Sequence, residues 1–180
     1  MKNTILSIAA WLIGCTTLQA QKVYATKSAQ IKFDAAGGLE AIAAKNNQVN
    51  SKMVDKTGQV VFSMLIKSFK FANQLMEDHF NENYMESTKF PKADFKGYIK
   101  EAAAINFSKD GTHNVTAEGE LNIHGVTKKV TIPGTLTVAD GKVILNANFK
   151  VKLKEYGIAG LYIGDKIAAD AAVTLTCKYD

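Results

Sequence analysis

Along residues 143–153 every odd position is apolar: Val143, Leu145, Ala147, Phe149, Val151 and Leu153. The even positions around them are Lys142, Ile144, Asn146, Asn148, Lys150, Lys152 and Lys154. A period of two with one dry and one wet face predicts a long antiparallel strand. The preceding stretch repeats the pattern, with Val130, Ile132, Leu136 and Val138 alternating with Lys129, Thr131, Thr135 and Thr137. Asp140-Gly141 between the two predicts a tight hairpin turn. Asp110-Gly111 predicts a second one, joining a strand over residues 93–107 to another over 113–123. Val60, Phe62, Met64 and Ile66 form a further inward set, and residues 31–33, 49–54 and 171–177 bring the total to about eight strands. Pro133 has outward parity in its strand, which predicts an edge position or a bulge there.

Two stretches depart from the alternation. Residues 38–45 (with Leu39, Glu40, Ala41, Ile42, Ala43 and Ala44) and 71–84 have helical composition and spacing, so two short helices are expected between strands. No linker, repeat or low-complexity tract divides the chain, and 180 residues suit one domain. An antiparallel set of about eight strands with one dry face must form a sandwich or close into a barrel. Its inward positions mix aromatics (Phe33, Phe62, Phe95, Phe107, Phe149) with very small residues (Ala93, Gly97, Ala103, Ala117, Gly119, Ala147, Ala171). An eight-stranded barrel is at the size where such side chains either interlock or leave room for one ligand, and the pattern alone leaves both open.

The N-terminus reads as an address rather than a fold element. Lys2, an apolar run over residues 5–13 and Leu18-Gln19-Ala20 match an export signal cut before Gln21, giving a mature domain over 21–180. The run is about half of the ~20 residues needed to span a bilayer. Leu12-Ile13-Gly14-Cys15 resembles a lipobox, and the alternative is therefore a lipoprotein anchored through Cys15. Loss of the leader leaves Cys177 as the one thiol, which predicts a small buried hydrophobe rather than a disulfide partner.

The chain is 47% hydrophobic and 22% charged, with a formal net charge of +5, and all 22 basic residues are lysine. Without arginine there is no planar fork for phosphate or guanine, and the lysines are interspersed with acids; no nucleic-acid partner is expected. Lys150, Lys152 and Lys154, with Lys128 and Lys129 on the neighbouring strand, read first as charge protection of an exposed sheet face. A sharper reading is transient contact with an acidic membrane surface.

Glu77, Asp78, His79, Glu82 and Glu86 are the one dense titratable cluster, and on a helix His79, Glu82 and Glu86 would share a face. The spacing matches no zinc-helix motif, and the cluster reads first as a solvated helix face with one satisfied histidine. His113 takes inward parity at a strand end, at the rim of the barrel, and His124 is expected to face solvent in a turn. The chain holds no G-x-S-x-G, P-loop or C-x-x-C, so an enzyme reading lacks both a nucleophile and a cofactor fingerprint.

Three segments carry a resemblance to the YceI family. They are His79-Phe80-Asn81-Glu82-Asn83-Tyr84-Met85-Glu86-Ser87 with Lys89-Phe90-Pro91-Lys92-Ala93-Asp94-Phe95; Gly119-Glu120-Leu121-Asn122-Ile123-His124-Gly125-Val126-Thr127-Lys128-Lys129-Val130; and Glu155-Tyr156-Gly157-Ile158 with Ile163-Gly164-Asp165-Lys166-Ile167. The middle one is similar to the family's G-x-L-x-(I/L)-x-G-V-T-K-x-V hairpin. The resemblance implies an all-β, lipocalin-like antiparallel barrel exported to the bacterial periplasm, with a long polyisoprenoid or isoprenoid-quinone chain inside. It implies no other cofactor and no catalysis.

The lining would then come from Phe33, Phe62, Met64, Ile66, Phe95, Ile99, Phe107, Val115, Leu121, Phe149 and Leu153, with His79 and His113 at the rim. Met76 and Leu153 stand where the family often has arginine, which leaves a ligand's polar head without those cations. Two other readings stay open. One is a filled barrel acting as a ligand-free interaction or stress-protective module; the other is a metal-assisted hydrolase using His79 and Glu82. An exposed edge strand would allow a homodimer.

Overall fold

The computed structural model describes residues 21–38 and 42–179. The expected leader with Cys15, together with Leu39, Glu40 and Ala41, lies outside the described residues. Nine strands form one antiparallel sheet: β1 (Val23–Ala36), β2 (Ala43–Val54), β3 (Gln59–Leu65), β4 (Lys70–Phe71), β5 (Lys92–Ile99), β6 (Gly111–Ile123), β7 (Val126–Ala139), β8 (Lys142–Lys152) and β9 (Ile167–Tyr179). Their order is β1-β9-β8-β7-β6-β5-β3-β2-β4, and a β1–β2 pairing closes eight of them into a barrel with β4 as an extra strand on β2. Closure removes the edges that an open sheet would expose.

The alternation behaves as the sequence predicts. On β8, Val143, Leu145, Ala147 and Val151 are buried while Lys142, Asn148, Lys150 and Lys152 are exposed. β9 answers with buried Ala171, Val173, Leu175, Cys177 and Tyr179 in register against β8. Asp140 and Gly141 have φ of 52° and 74°, the paired positive values of a tight two-residue hairpin. Pro133 is exposed and marks the place where β7 leaves β8: their pairing ends at Gly134↔Ala147, whereas β6 and β7 stay paired to Ile123↔Val126. Its missing N–H is harmless at that local edge. Lys128 and Lys129 lie beyond the split, so no register joins them to Lys150 and Lys152.

Three local expectations are corrected. The helix expected over 38–45 is not formed at its C-terminal part: Ala43, Ala44 and Lys45 open β2 and pair with Asp34, Phe33 and Lys32. Ala-rich composition favours helix only weakly, and a twelve-residue strand closing the barrel overrides it. The strand expected over 93–107 stops at Ile99, and Ala102–Ala104 form a 3-10 turn with Ala103 exposed rather than inward. Asp110-Gly111 is accordingly no tight hairpin; it ends a long connection, and the Asp110 carboxylate accepts the Asp140 N–H at 3.2 Å. The helix over 71–84 is present but short. α1 (Gln74–His79) runs into a π-helical turn, Phe80–Tyr84.

All of α1, the β1–β2 connection, the β6–β7 hairpin and the β8–β9 connection fall at one end of the barrel, called the mouth here. The opposite end is packed. Met53, Ile99, Val138, Val143, Cys177 and Tyr179 there are at most 2% exposed. The Tyr179 hydroxyl meets the Ser51 hydroxyl at 2.6 Å, which satisfies two buried polar groups at once.

Candidate functional site

Between the packed end and the mouth lies a cavity of about 460 Å³. The strands build it by alternating aromatic and small side chains. Phe62, Phe95 and Phe149 project into it beside Ala93, Ala117, Ala147, Ala171 and Gly134, and the Gly134↔Ala147 pairing places two small residues opposite each other on β7 and β8. Shared backbone register fixes the spacing, so the missing side-chain volume is not recovered by collapse.

Of the residues expected to line a lumen, Phe33, Phe62, Met64, Ile66, Phe95, Val115, Leu121, Phe149 and Leu153 are in the wall. Two are not. Ile99 is 1% exposed in the packed core, and Phe107 lies against Tyr24 with centroids 5.7 Å apart, toward the closed end. Of the two expected rim histidines, His79 is in the wall and exposed on α1, whereas His113 is half-buried on β6 outside it.

The largest feature missed by sequence reasoning is a knot of four phenylalanines near the mouth. Phe33 of β1, Phe69, Phe71 of β4 and Phe80 beyond α1 pack with centroids 5.1–5.8 Å apart, and all four border the cavity. Phe69 and Phe71 alternate as strand residues do, a signal masked when residues 71–84 are read as one helix.

α1 roofs this knot. Six residues make no stable helix alone, so it depends on its ends. Asn73 caps it by accepting the Leu75 N–H at 2.8 Å, and buried Glu77 pairs with Lys70 of β4 at 2.6 Å while accepting the Phe71 N–H. Leu75, Met76, His79, Phe80, Tyr84 and Met85 form one half of a cover over the cavity. Ile158, Tyr162, Lys166 and Ile167 form the other.

Among the described residues the polar side chains in the wall are His79, Tyr84, Tyr162 and Lys166, all at the cover. Burial, and then the neighbouring Tyr162, raise the Tyr84 hydroxyl above its usual range, so it remains a donor. The Lys166 ammonium stands 5.2 Å above the Tyr162 ring. Below this rim the wall is hydrocarbon. Such a space can hold an apolar chain.

A comparison with protein-family models matches residues 18–178 to the YceI-like domain. The chain belongs to the YceI-like domain family. None of the curated proteins compared with it matches. Among solved structures, this YceI-like chain is similar to BcnA of Burkholderia cenocepacia, with a TM-score of 0.71, 13% identity, and 84% of this chain and 96% of that one covered. It is similar to a polyisoprenoid binding domain from Saccharophagus degradans implicated in plant cell wall breakdown, with a TM-score of 0.74, 10% identity, and 88% and 97% covered. The YceI protein of Campylobacter jejuni matches with a TM-score of 0.56, 16% identity, and 100% and 99% covered. At these identities the likeness is one of fold.

In this YceI-like barrel the acidic cluster disperses. Glu77 goes to Lys70, Glu86 to His124 at 3.0 Å, and Glu82 is exposed. Among the described residues no three His, Cys, Asp or Glu side chains gather as a metal would require. Met76 and Leu153 both line the cavity, adding apolar wall where the family often carries arginine.

His124 is corrected most. Instead of facing solvent, its side chain is 10% exposed, with Nδ1 3.2 Å from the Tyr156 carbonyl, Nε2 at the Glu86 carboxylate, and its ring edge-on to Phe90 at 4.4 Å. A turn position gave no hint of this, because its partners come from segments 32 and 38 residues away.

Proposed function

We propose that this protein binds and carries a long apolar isoprenoid, a polyprenyl chain or the tail of an isoprenoid quinone, inside its barrel, and that it does no chemistry on it. The observation that carries the reading is the cavity: about 460 Å³ falls within the roughly 300–1,000 Å³ of ligand pockets, with hydrocarbon walls and polar groups confined to the cover. Each CH₂ moved from water into such a space contributes about 0.8 kcal/mol, so a few isoprene units suffice for tight binding. Family membership and the likeness to a polyisoprenoid binding domain support the choice of chain.

The same reading places the protein in the periplasm after removal of residues 1–20, or on a lipid anchor at Cys15. It includes transient membrane contact through exposed lysines such as Lys150, Lys152 and Lys154. Pairing into a homodimer is compatible with it. Titration of the purified protein with tagged geranylgeraniol tests the core claim. Saturable uptake at one equivalent is expected, weakened at least about tenfold in Ala147→Phe, where a ring would take up part of the lumen. Native protein that takes up no prenol would overturn it.

A further inference from the structure

Among the described residues the two halves of the cover share a polar partner on one side of the barrel. Around the barrel, the β6–β7 hairpin stands opposite the β1–β2 connection, with β8 and β9 between them one way and β5 and β3 the other. Both halves of the cover reach that hairpin, and both meet the same ring there. His124 Nδ1 approaches the Tyr156 carbonyl of the β8–β9 connection, and Nε2 the Glu86 carboxylate beyond α1. Carbonyl and carboxylate both accept, so the geometry is met in full when both ring nitrogens carry hydrogen. His124 and Gly125, with φ of 52° and 75°, form the two-residue turn of the β6–β7 hairpin, and Glu86, with φ of 41°, also has Lys89 at 3.8 Å. Next along the seam, Gly160 lies flat against the Tyr84 ring, where a Cβ would collide.

On the opposite side the seam is untied. α1 starts just after Phe71, which pairs with Ala44 of β2, and the other half ends where the Lys166 carbonyl accepts the Gly37 N–H after β1. Among the described residues no hydrogen bond or ion pair joins α1 to residues 160–166. The apolar side chains there face water: Leu75 is 62% exposed, Tyr162 45% and Leu161 88%.

We propose that His124 latches the cover on the β6–β7 side and that the apolar ligand passes on the β1–β2 side, between Leu75 and Tyr162. This rests on the carrier reading. A lipid leaving water or a bilayer finds apolar side chains at that lip, and among the described residues no hydrogen bond or ion pair between α1 and residues 160–166 has to break for the two to part there. His124 is a positioning residue: it sets which side opens.

The test is stopped-flow exchange of nitrobenzoxadiazole-tagged geranylgeraniol between the full chain and phosphatidylcholine vesicles. His124→Gln and Glu86→Gln should each speed association and dissociation several-fold with Kd unchanged, and the double variant should match the singles. Glu86 is exposed, so its variant keeps the test alive if His124→Gln fails to fold. Leu75→Asp should slow association several-fold, whereas Val61→Asp, on the outer face of β3, should leave it native. Latch variants that lower Tm but exchange at the native rate would overturn the latch. Equal effects of Leu75→Asp and Val61→Asp would overturn the portal. A native chain that takes up no prenol would bring down the carrier reading and this inference together, which sets that failure apart from the other two.

Discussion

At the closed end of the barrel Tyr24 packs on Phe107 and Tyr179 with centroids 5.7 and 6.2 Å apart, and Tyr179, Cys177 and Val143 expose nothing. Toward the mouth the same sheet carries Phe33, Phe62, Phe95 and Phe149, as large and as apolar, yet they border empty space. The difference lies in their neighbours. Toward the closed end large side chains face one another and a Tyr179–Ser51 hydrogen bond locks them. Toward the mouth small residues interrupt the large ones, Ala93 beside Phe95 on β5 and Ala147 beside Phe149 on β8, and the cover is built from short segments rather than strands. Stability and capacity are thus assigned to opposite ends of one sheet.

The comparison breaks most visibly on truncation. Tyr179→Ala should cost about 3–5 kcal/mol, because a fully buried ring leaves an unfilled hole. Phe149→Ala, whose ring is half-buried and already borders a void, should cost less than about 2 kcal/mol. Denaturant titration of both reads the contrast, and equal costs would mean that the mouth end is as solid as the other. Filling works the other way. Val138→Phe should overpack and cost about 1–3 kcal/mol, while Ala147→Phe should leave stability near native. The ring of Ala147→Phe displaces two or more CH₂ equivalents of ligand at about 0.8 kcal/mol each, so prenol affinity should fall at least about tenfold.

A chemical contrast of similar size follows from Cys177. Burial pushes its thiol up to about 11 from an ordinary value of 9.0. A raised folded-state value means that the folded chain holds its proton after the unfolded chain has lost it. The contribution is therefore complete below pH 9, and it disappears as pH climbs toward 11. At about 1.4 kcal/mol per pH unit, Cys177→Ala should remove roughly 2–3 kcal/mol of that alkaline loss. Stability curves of the two proteins over that range check it, and parallel curves would contradict it. The smallest effect belongs to the cover: Glu77→Gln breaks a pair whose lysine is 67% exposed and should cost about 1 kcal/mol or less.

How much of this could be read from the chain depended on where each contact partner lies. β7, β8 and β9 were legible because alternation is a local signal and Asp140-Gly141 fixes its own turn. The Ala43–Lys45 start of β2 was not, since its partners Asp34, Phe33 and Lys32 on β1, with Phe71 and Lys70 of β4, lie outside any local window. The break after Ile99 was hidden because Ala102 and Ala103 fit a strand's composition as well as a 3-10 turn's. Most of the barrel-borne wall was legible from parity alone, as Phe62, Phe95 and Leu121 illustrate. Ile99 and Phe107 have inward parity too, but parity names a face and not an end. The cover escaped almost entirely, since Phe69 and Phe80 meet, and Tyr162 reaches the same cavity, only in three dimensions. His124 escaped for the same reason.

The most direct measurement of the central claim is organic extraction of the native protein, purified from its own cell envelope without denaturant, followed by mass spectrometry. The account predicts a prenyl or isoprenoid-quinone lipid near one equivalent, reduced in Ala147→Phe and retained in Val138→Phe. An extract free of such lipid, from protein that also fails to take up geranylgeraniol, would contradict it.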